Sequence, residues 1–507
     1  MGRALKLFPH FSTYQIIALT FFGLISCGTL LLMLPMSSNT GQSLPFIDAL
    51  FTATSASCVT GLVVVDTAEY FSTFGQMVII FLIQLGGLGI MTFATLFSIA
   101  FGKKINLQER LRIQESLNQS EVEGVVRLCL RVVKYSLVIE FLFGTILAVH
   151  FFQMFGAKGI YWGYWHAVSA FCNAGFDLMG GFRSLTMFVT DWPVNLIITS
   201  LIILGSLGFN VMEDIINKRN FSDLRLHSKM VLLTTLSLII VGTGAIWFME
   251  SGNADTLGNL TTSQQVLASY FQAVTPRTAG FNTLPIDKMH EATLFVIIML
   301  MFVGASPAST GGGIKTTTFA VVVLTTWNLV RGKEDLVVFN RRIEERIIYK
   351  AFIILTIGVI WVCVGTFFIS YFENARFLNM FFEVMSAFAT VGLTAGETQR
   401  ICDASKIVLI LTMFAGRVGV LTFAMTLEYS GRFLAIIQLA SMLKRLLFII
   451  VFSQIFFPVN FPLVIKIVIT AVAIAIVESL NNKMRLFKVR FYMMGAGVLL
   501  LLAIVAQ

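Results

Sequence analysis

The chain has 507 residues, of which 57% are hydrophobic and 12% charged, and its formal net charge is +9. Soluble domains carry about 25% charged residues, so this composition excludes an ordinary soluble enzyme and predicts an all-α integral membrane protein set in a lipid bilayer. The excess of positive charge requires no nucleic acid as a partner, because basic loops beside anionic lipid explain it.

Eight apolar stretches are long enough to cross the roughly 30 Å hydrocarbon core of a bilayer. The first follows Arg3 and Lys6 without a small-residue cleavage site, which predicts a retained helix with a cytoplasmic amino terminus. Between the members of each pair of spans, a shorter and more polar stretch is typical of a re-entrant helix. The spans lie near 14–36, 74–100, 132–155, 193–216, 229–249, 292–330, 347–372 and 406–429, and the re-entrant stretches near 45–57, 162–173, 262–275 and 377–389.

Lysine and arginine concentrate in three connecting stretches, with seven in 103–134, four in 218–229 and six in 331–350. Because short basic loops stay in the cytoplasm, this bias predicts which ends of the spans face inward. The re-entrant stretches then open toward the outside, where acidic residues are more frequent. A mildly acidic mouth concentrates cations.

Each re-entrant stretch ends in a similar turn with a glycine, and Gly61, Gly175, Gly280 and Gly392 are 114, 105 and 112 residues apart. A near-constant spacing indicates a unit used four times. The sequence therefore predicts four pseudo-repeats of span, re-entrant pore helix, glycine turn and span around one central pore. Their expected bounds are 1–102, 103–220, 221–335 and 336–430, followed by extra carboxyl-terminal membrane segments in 431–507.

Non-helical backbone at membrane depth is tolerated only where it lines a water-filled path or is buried in protein. Carbonyl groups turned toward a common axis can replace the hydration shell of a large monovalent cation, and glycine allows the backbone angles that such turns need. A single glycine is weak evidence, since membrane helices use glycine for close packing. The candidate ion-binding residues of these four glycine turns are Val59, Thr60 and Gly61; Asn173, Ala174 and Gly175; Thr278, Ala279 and Gly280; and Thr390, Val391 and Gly392.

From Phe51 through Thr426 the chain resembles the Ktr/Trk/HKT superfamily of potassium transporters, and specifically its Ktr-type membrane subunit. The resemblance rests on four segments, Ala53 to Leu62, His166 to Asp177, Thr275 to Thr283 and Met385 to Thr394. It implies potassium uptake through a selectivity filter. Glycine at all four filter positions implies potassium selectivity, whereas serine in the first repeat accompanies sodium-permeable plant relatives.

The resemblance also implies the assembly and the setting of the protein. It implies a homodimer in the cell (inner) membrane, with one pore per subunit and a cytoplasmic ring of nucleotide-binding regulatory subunits of the RCK/KTN type. No cofactor is expected, and no metal ion other than potassium at the filter. Sodium is a candidate co-ion.

A run of small residues interrupts the apolar stretch 292–330 and forces a break at membrane depth. It is not a phosphate-binding loop, because Ile314 separates the glycines from Lys315 and no strand precedes it. A simple hinge between half-helices is the alternative. The resemblance implies a mobile loop that closes the cavity below the filter. The expected gate residues of this inner loop, residues 304–315, are Gly304, Ser306, Ser309, Thr310, Gly311, Gly312, Gly313 and Lys315.

Arg417 lies in the last span of the fourth repeat. An arginine near the middle of a span costs about 2.5–3.5 kcal/mol on insertion scales, so it is expected to face the protein interior or water and to have a partner. A place at a dimer interface or at the cytoplasmic end is the alternative. The resemblance implies that the side chain projects into the pore and forms the gate together with the inner loop.

The last 80 residues or so are unusual for a Ktr-type chain. Apolar runs near 446–458, 462–480 and 491–507 predict three more crossings, and the stretches 427–435 and 477–489 resemble the quinone-site membrane subunit of complex I and related hydrogenases. A membrane subunit of a proton-pumping redox assembly is therefore the alternative function. Such a subunit needs several carboxylates along a proton path, and the spans contain chiefly Glu140, Glu213 and Glu478. No motif indicates an enzyme.

Overall fold

The computed structural model describes residues 13–89, 125–332 and 336–419, together with 92, 93 and 95. The chain divides into two compact units, Met1–Thr426 and Leu427–Gln507, and every described residue belongs to the first. The amino terminus predicted to be cytoplasmic, the basic residues of 103–124 and the membrane segments predicted in 431–507 all lie outside the described residues.

The first repeat contains four described helices. They are α1, Thr13–Leu32; α2, Phe46–Ser57; the short α3, Thr67–Tyr70; and α4, Thr73–Leu88. Ser72 caps α4 by accepting a hydrogen bond from the Gly75 amide at 3.3 Å. The re-entrant stretch predicted at 45–57 is therefore the helix α2, and α4 ends before Gly89, whose φ is +87°.

The second repeat shows one difference from the sequence prediction. It contains α5, Val125–Phe155; α6, Ala157–Phe171; α7, Trp192–Leu207; and α8, Phe209–Lys218. The apolar stretch 193–216 is predicted to be one span, and the structure divides it into two helices, because the chain bends by 96° between α7 and α8. Gly208, with a φ of +90°, makes the bend in a backbone conformation that L side chains rarely adopt.

The third repeat contains the break that the small-residue run predicts. Its helices are α9, Leu226–Glu250; α10, Thr262–Val274; α11, Glu291–Phe302; and α12, Thr316–Val330. A capping box formed by Thr261 and Gln264 begins α10. The inner loop separates α11 from α12.

The fourth repeat begins with the described β-strands of this unit, a hairpin of β1, Val337–Val338, and β2, Arg341–Arg342. Three helices follow, α13, Glu345–Phe372; α14, Phe377–Phe388; and α15, Asp403–Val418. Like α4 and α7, α15 ends at a glycine in a left-handed conformation, Gly419 with a φ of +93°. The second spans of the first, second and fourth repeats therefore all end at a glycine with a positive φ.

The helices α2, α6, α10 and α14 are the pore helices, and their packing arranges the repeats in a ring. The second span of each repeat packs against the pore helix of the next, α4 on α6, α7 on α10, α11 on α14 and α15 on α2. Lys406 on α15 also forms an ion pair with Asp48 on α2 at 2.7 Å. The last repeat therefore contacts the first, and the ring is closed.

Among the described helices, α5, α9 and α13 are each long and apolar enough to cross a bilayer, and the bent pair α7 and α8 is a fourth candidate. The other predicted spans correspond to helices of 12 to 20 residues. Their apolar residues join those of the pore helices in buried clusters around the glycine turns. The predicted all-α membrane architecture is confirmed.

Candidate functional site: four glycine turns on one axis

The four glycine turns meet at the centre of the ring, each beside the next. A Cβ atom added to Gly61 would lie 2.4 Å from the carbonyl oxygen of Ala174, and one added to Gly175 would lie 2.7 Å from that of Ala279. A Cβ atom added to Gly280 would lie 2.5 Å from the carbonyl oxygen of Val391, and one added to Gly392 would lie 2.2 Å from that of Thr60. The contacts run once around the four repeats and return to the first.

The backbone of the four turns follows one pattern. Each glycine has a positive φ, between +70° and +95°, and so does the residue two positions before it, between +51° and +72°. Side-chain-bearing residues rarely adopt this conformation, and strained backbone clusters at functional sites. Four copies of the same strain support a shared role. The earlier residue is Val59, Asn173, Thr278 or Thr390.

A hydroxyl group at the carboxyl end of each pore helix supports the glycine turn that follows. The Ser55 and Ser386 hydroxyls accept hydrogen bonds from the amides of Gly61 and Gly392 at 3.1 and 3.0 Å. Ser169 donates to the Phe176 carbonyl at 2.7 Å, and Thr275 donates to that of Phe281 at 2.5 Å. These four residues were not among the predicted site residues. Three of them lie six positions before their glycine, a signal that the repeat alignment contains.

Three further glycines were also missed, and they allow the second spans to touch the ends of the pore helices. A Cβ atom on Gly86, Gly205 or Gly416 would lie 2.0 Å from the carbonyl oxygen of Ser57, Phe171 or Phe388. Any larger residue would therefore push the pore helix away. The sequence shows these glycines only as ordinary helix-packing residues.

Arg277 precedes the third glycine turn and is 1% exposed, with no hydrogen-bond partner for its guanidinium among the described residues. It stands three positions before Gly280, where the other repeats have Cys58, Cys172 and Ala389. It follows the carboxyl end of α10, where the helix dipole favours a cation. The third repeat therefore differs from the others in carrying a charged side chain at this position.

The inner loop lies against two of the four glycine turns. A Cβ atom on Gly311 would lie 2.1 Å from the Thr278 Oγ1 atom, and one on Gly312 would lie 2.4 Å from the Thr390 Oγ1 atom. Both glycines are buried. The loop therefore closes one side of the ring, and its glycines are the residues that permit this closeness.

Hydrogen bonds to the second repeat hold the inner loop in place. The Ser306 amide donates to the Ser206 carbonyl at 3.0 Å, and the Thr310 hydroxyl donates to the carbonyls of Phe171 and Gly205 at 3.1 and 3.0 Å. Within the loop, the Ser309 hydroxyl donates to the Ser306 carbonyl at 2.5 Å. The Gly304 amide and the Ile314 carbonyl pair at 2.9 Å where α11 and α12 approach each other.

Arg417 joins the inner loop to the first repeat. Its guanidinium donates to the Thr310 carbonyl of the loop and to the carbonyls of Gly86 and Gly87 near the end of α4. Lys315 donates to the Gly311 carbonyl at 2.9 Å. Both side chains are half-buried. The described residues provide carbonyl acceptors to them and no carboxylate, so positive charge stands below the glycine turns.

Acidic side chains stand in the loops that follow the first and second glycine turns. Asp66 and Glu69 accept hydrogen bonds from the amides of Phe182 and Gly181 at 2.8 and 3.2 Å, which ties the two loops together. Burial raises the pKa of Asp177 to about 6, an amide hydrogen bond from Met179 opposes this, and the nearby Asp66 raises the pKa further. This carboxyl group therefore titrates close to the pH of many natural environments.

The arrangement brings together all the residues that the sequence nominated. The twelve residues of the glycine turns are buried at one axis, and the inner loop and Arg417 lie in contact with one another beneath them. Among the described residues, no group of three or more His, Cys, Asp or Glu side chains could hold a metal ion. The polar groups of these twelve residues are backbone groups, threonine hydroxyls and the Asn173 carboxamide.

Comparison with known proteins identifies the family. The family model described as TrkH, cation transport protein, matches residues 8–433. The chain belongs to this family. It is 45% identical to the Ktr system potassium uptake protein B of Bacillus subtilis over 415 residues, which are 82% of this chain and 92% of that protein. The family is one of cation transporters, so the chain is a membrane transport protein and not an enzyme.

Two further likenesses agree with this family. The potassium/sodium uptake protein NtpJ of Enterococcus hirae is 39% identical over 421 residues, covering 82% of this chain and 93% of that protein. The crystal structure of the potassium transporter TrkH from Vibrio parahaemolyticus superposes with a TM-score of 0.65 at 18% identity, covering 82% of this chain and 85% of that one. At this low identity, the match to the TrkH structure shows a shared fold.

Proposed function

We propose that this protein takes up potassium ions across the cell (inner) membrane, and that the four glycine turns are its selectivity filter. The observation that carries the proposal is the closed ring in which each glycine lies against a carbonyl oxygen of the next turn. Rings of carbonyl dipoles replace the water around a dehydrated potassium ion. The names and sequences of the Bacillus and Enterococcus relatives support the same ion.

The filter assignment covers three residues in each turn. Thr60, Ala174, Ala279 and Val391 supply the carbonyl groups nearest to the neighbouring glycines. The residues before them adopt left-handed conformations, so successive carbonyls cannot continue the direction of the pore helix. The glycines complete the turn where a Cβ atom would collide with the next repeat.

We assign the gate to the inner loop and Arg417. The loop blocks the ring at Thr278 and Thr390, and the arginine holds it through the Thr310 carbonyl. A guanidinium and the Lys315 ammonium beneath the filter repel a permeating cation, and this repulsion is strong where water is excluded. Uptake then requires that the loop and Arg417 separate.

The assembly and topology belong to the same proposal. The protein acts as a homodimer, each subunit with its own pore, with its amino terminus in the cytoplasm, where a ring of nucleotide-binding regulatory subunits controls the inner loop. Sodium is a candidate co-ion, as the name of the Enterococcus relative suggests. The basic loops on one side of the spans support this orientation.

Growth on limiting potassium tests the proposal. A host lacking its own potassium uptake receives this chain with a Ktr-type regulatory subunit, beside Gly61→Ser and a truncation after Ser430. We expect the full chain to restore growth and Gly61→Ser to shift uptake toward sodium, because the added side chain enters the ring 2.4 Å from the Ala174 oxygen.

The truncation shows whether the tail is needed for transport, and restored growth would make residues 431–507 accessory. A Gly244→Ala variant is the matched control, since a Cβ atom there meets nothing within 4 Å. Absence of growth with the full chain, when the protein is present and assembled in the membrane, contradicts the proposal.

A further inference from the structure

Glu140 is a buried carboxyl group that neither the filter nor the gate uses. It lies near the middle of α5 and is 5% exposed. Ionisable residues inside membrane spans are costly and are retained where they have a partner and a role. The contacts of this residue lead to the second glycine turn.

Glu140 forms a small hydrogen-bonded network with two residues of other segments. The Gln84 side-chain amide donates to both carboxyl oxygens of Glu140 at 3.1 Å. The Cys172 thiol donates to the Gln84 Oε1 atom at 3.3 Å and lies 3.9 Å from the Glu140 Oε1 atom. The network thus contains one carboxyl, one carboxamide and one thiol group.

Each member of the network comes from a different part of the ring. Glu140 stands on the first span of the second repeat, and Gln84 stands on α4, the second span of the first repeat. Cys172 directly precedes the second glycine turn and caps α6. The network therefore links two repeats to the backbone that enters one filter turn.

Close packing fixes the position of the thiol. A Cβ atom on Gly87 would lie 2.9 Å from the Cys172 Sγ atom, so α4 presses against the side chain. Gly87 also supplies a carbonyl to Arg417 at 3.1 Å. A displacement of Cys172 would disturb the filter turn on one side and the anchor of the gate on the other.

The other repeats lack such a network at this position. Three residues before the filter glycine, the first, third and fourth repeats have Cys58, Arg277 and Ala389. Among the described residues, Cys172 is the one of these four whose side chain forms hydrogen bonds to neighbouring helices. The second turn therefore has a side-chain support of its own.

We propose that Glu140 is a positioning residue that sets the cation selectivity of the second filter turn, acting through Gln84 and Cys172. Asn173, Ala174 and Gly175 follow the thiol directly, and Ala174 supplies the carbonyl that contacts the first glycine. The inference rests on the proposed function. It adds a group outside the filter that determines how well the filter discriminates potassium from sodium.

Competing uptake of rubidium and sodium into vesicles tests this, with rubidium as the substitute for potassium and with the full chain and its regulatory subunit. Glu140→Leu removes the acceptor of Gln84 and is expected to lower the rubidium-to-sodium ratio about tenfold, the effect of leaving the buried Gln84 amide without an acceptor. Glu140→Gln still accepts a hydrogen bond and is expected to stay within about twofold of the wild type. The ratio does not depend on how much protein folds.

Cys172→Ala provides a second route to the same result. Alanine is the residue at this position in the fourth repeat, so the variant is expected to fold and to lose selectivity about threefold as the weaker thiol bond is removed. Phe141→Leu is the matched control on α5, because Phe141 is 67% exposed, and its ratio is expected to be unchanged.

An unchanged ratio in both Glu140→Leu and Cys172→Ala overturns the inference, as does an equal loss in Glu140→Gln and Glu140→Leu. If the wild type takes up rubidium while these variants keep its selectivity, the inference fails and the proposed function stands. If the wild type takes up no rubidium, the proposed function fails and the inference fails with it.

Discussion

The four glycine turns resemble one another, whereas the inner loop and Arg417 directly beneath them differ between the repeats. The turns repeat one backbone pattern four times, with left-handed residues at the same two positions. Beneath them the repeats differ, because the inner loop belongs to the third, Arg417 to the fourth and their carbonyl partners to the first and second. The proposed filter surrounds one ion and needs near-identical groups, whereas the proposed gate has to move and needs an element that is not held from all sides.

The largest effect is expected where the repeated pattern is broken. Gly392→Ala places a methyl group 2.2 Å from the Thr60 carbonyl oxygen at a residue with a φ of +92°. The ring cannot close around this side chain, so we expect potassium-selective uptake to fall at least about a hundredfold, which corresponds to about 2.7 kcal/mol of lost stabilisation of the ion. Rubidium uptake into vesicles measures it.

Gly23→Ala is the matched control for this change, because a Cβ atom there meets nothing within 4 Å. It adds the same methyl group to a helix of the first repeat. Selective uptake by Gly392→Ala at the wild-type rate would show that the four turns do not form the ion path.

The next largest expected effect is an increase in the rate of uptake, and it concerns the inner loop and Arg417 beneath the glycine turns. Arg417→Gln removes a positive charge and weakens the bonds to Thr310 and Gly86 that hold the inner loop. We expect the maximal rate of potassium uptake to rise about tenfold without the regulatory subunit, since both the repulsion and the restraint are reduced. Initial uptake rates show this.

An exposed arginine, Arg376, provides the control for this test. Arg376→Gln alters a side chain that is 79% exposed and paired with Glu291 at 3.5 Å, and its rate is expected to match the wild type. A fall in the rate of Arg417→Gln, at equal amounts of assembled protein, would mean that this arginine assists permeation.

A smaller effect is expected at the hydroxyl groups that support the turns. Ser386→Ala removes the acceptor of the Gly392 amide, a bond of 3.0 Å in a buried site. A hydrogen bond of this kind contributes about 1 kcal/mol, so the apparent affinity for potassium is expected to fall about fivefold. Ser26→Ala, whose hydroxyl bonds within the exposed face of α1, should leave the affinity unchanged. Equal affinities in both variants would show that the turns hold without this support.

The smallest effect concerns external pH. Because the pKa of Asp177 is raised to about 6, its carboxylate is present at pH 7 and is lost as the pH falls through about 6. Cation affinity should therefore decrease about twofold between pH 7 and pH 5, and Asp177→Asn should remove this dependence and show the lower affinity throughout. Asp255→Asn, an exposed carboxyl group, serves as the control. A pH profile that survives in Asp177→Asn would assign the titration to another group.

The sequence predicted the layer of the turns better than the layer beneath it. Four glycines at similar spacing are a local signal repeated along the chain, and the fold places them at one axis. The serines six positions before three of these glycines carry the same signal and could have been found in the same way.

Contacts between repeats could not be predicted, because nothing in a single sequence pairs Gln84 with Glu140 or Arg417 with Gly86. These pairs are 56 and 331 residues apart. The bend at Gly208 was hidden for a different reason. The stretch 193–216 is mostly apolar in its first two thirds, and hydropathy does not register the one residue whose backbone turns the chain.

The most direct test of the account is the location of the bound ion. A structure of the protein determined in thallium, with anomalous differences recorded, is predicted to show a peak on the axis, coordinated by the carbonyl oxygens of Thr60, Ala174, Ala279 and Val391. Loss of that peak in Gly392→Ala would support the assignment further. A wild-type structure with thallium bound elsewhere and none at these four oxygens would contradict it.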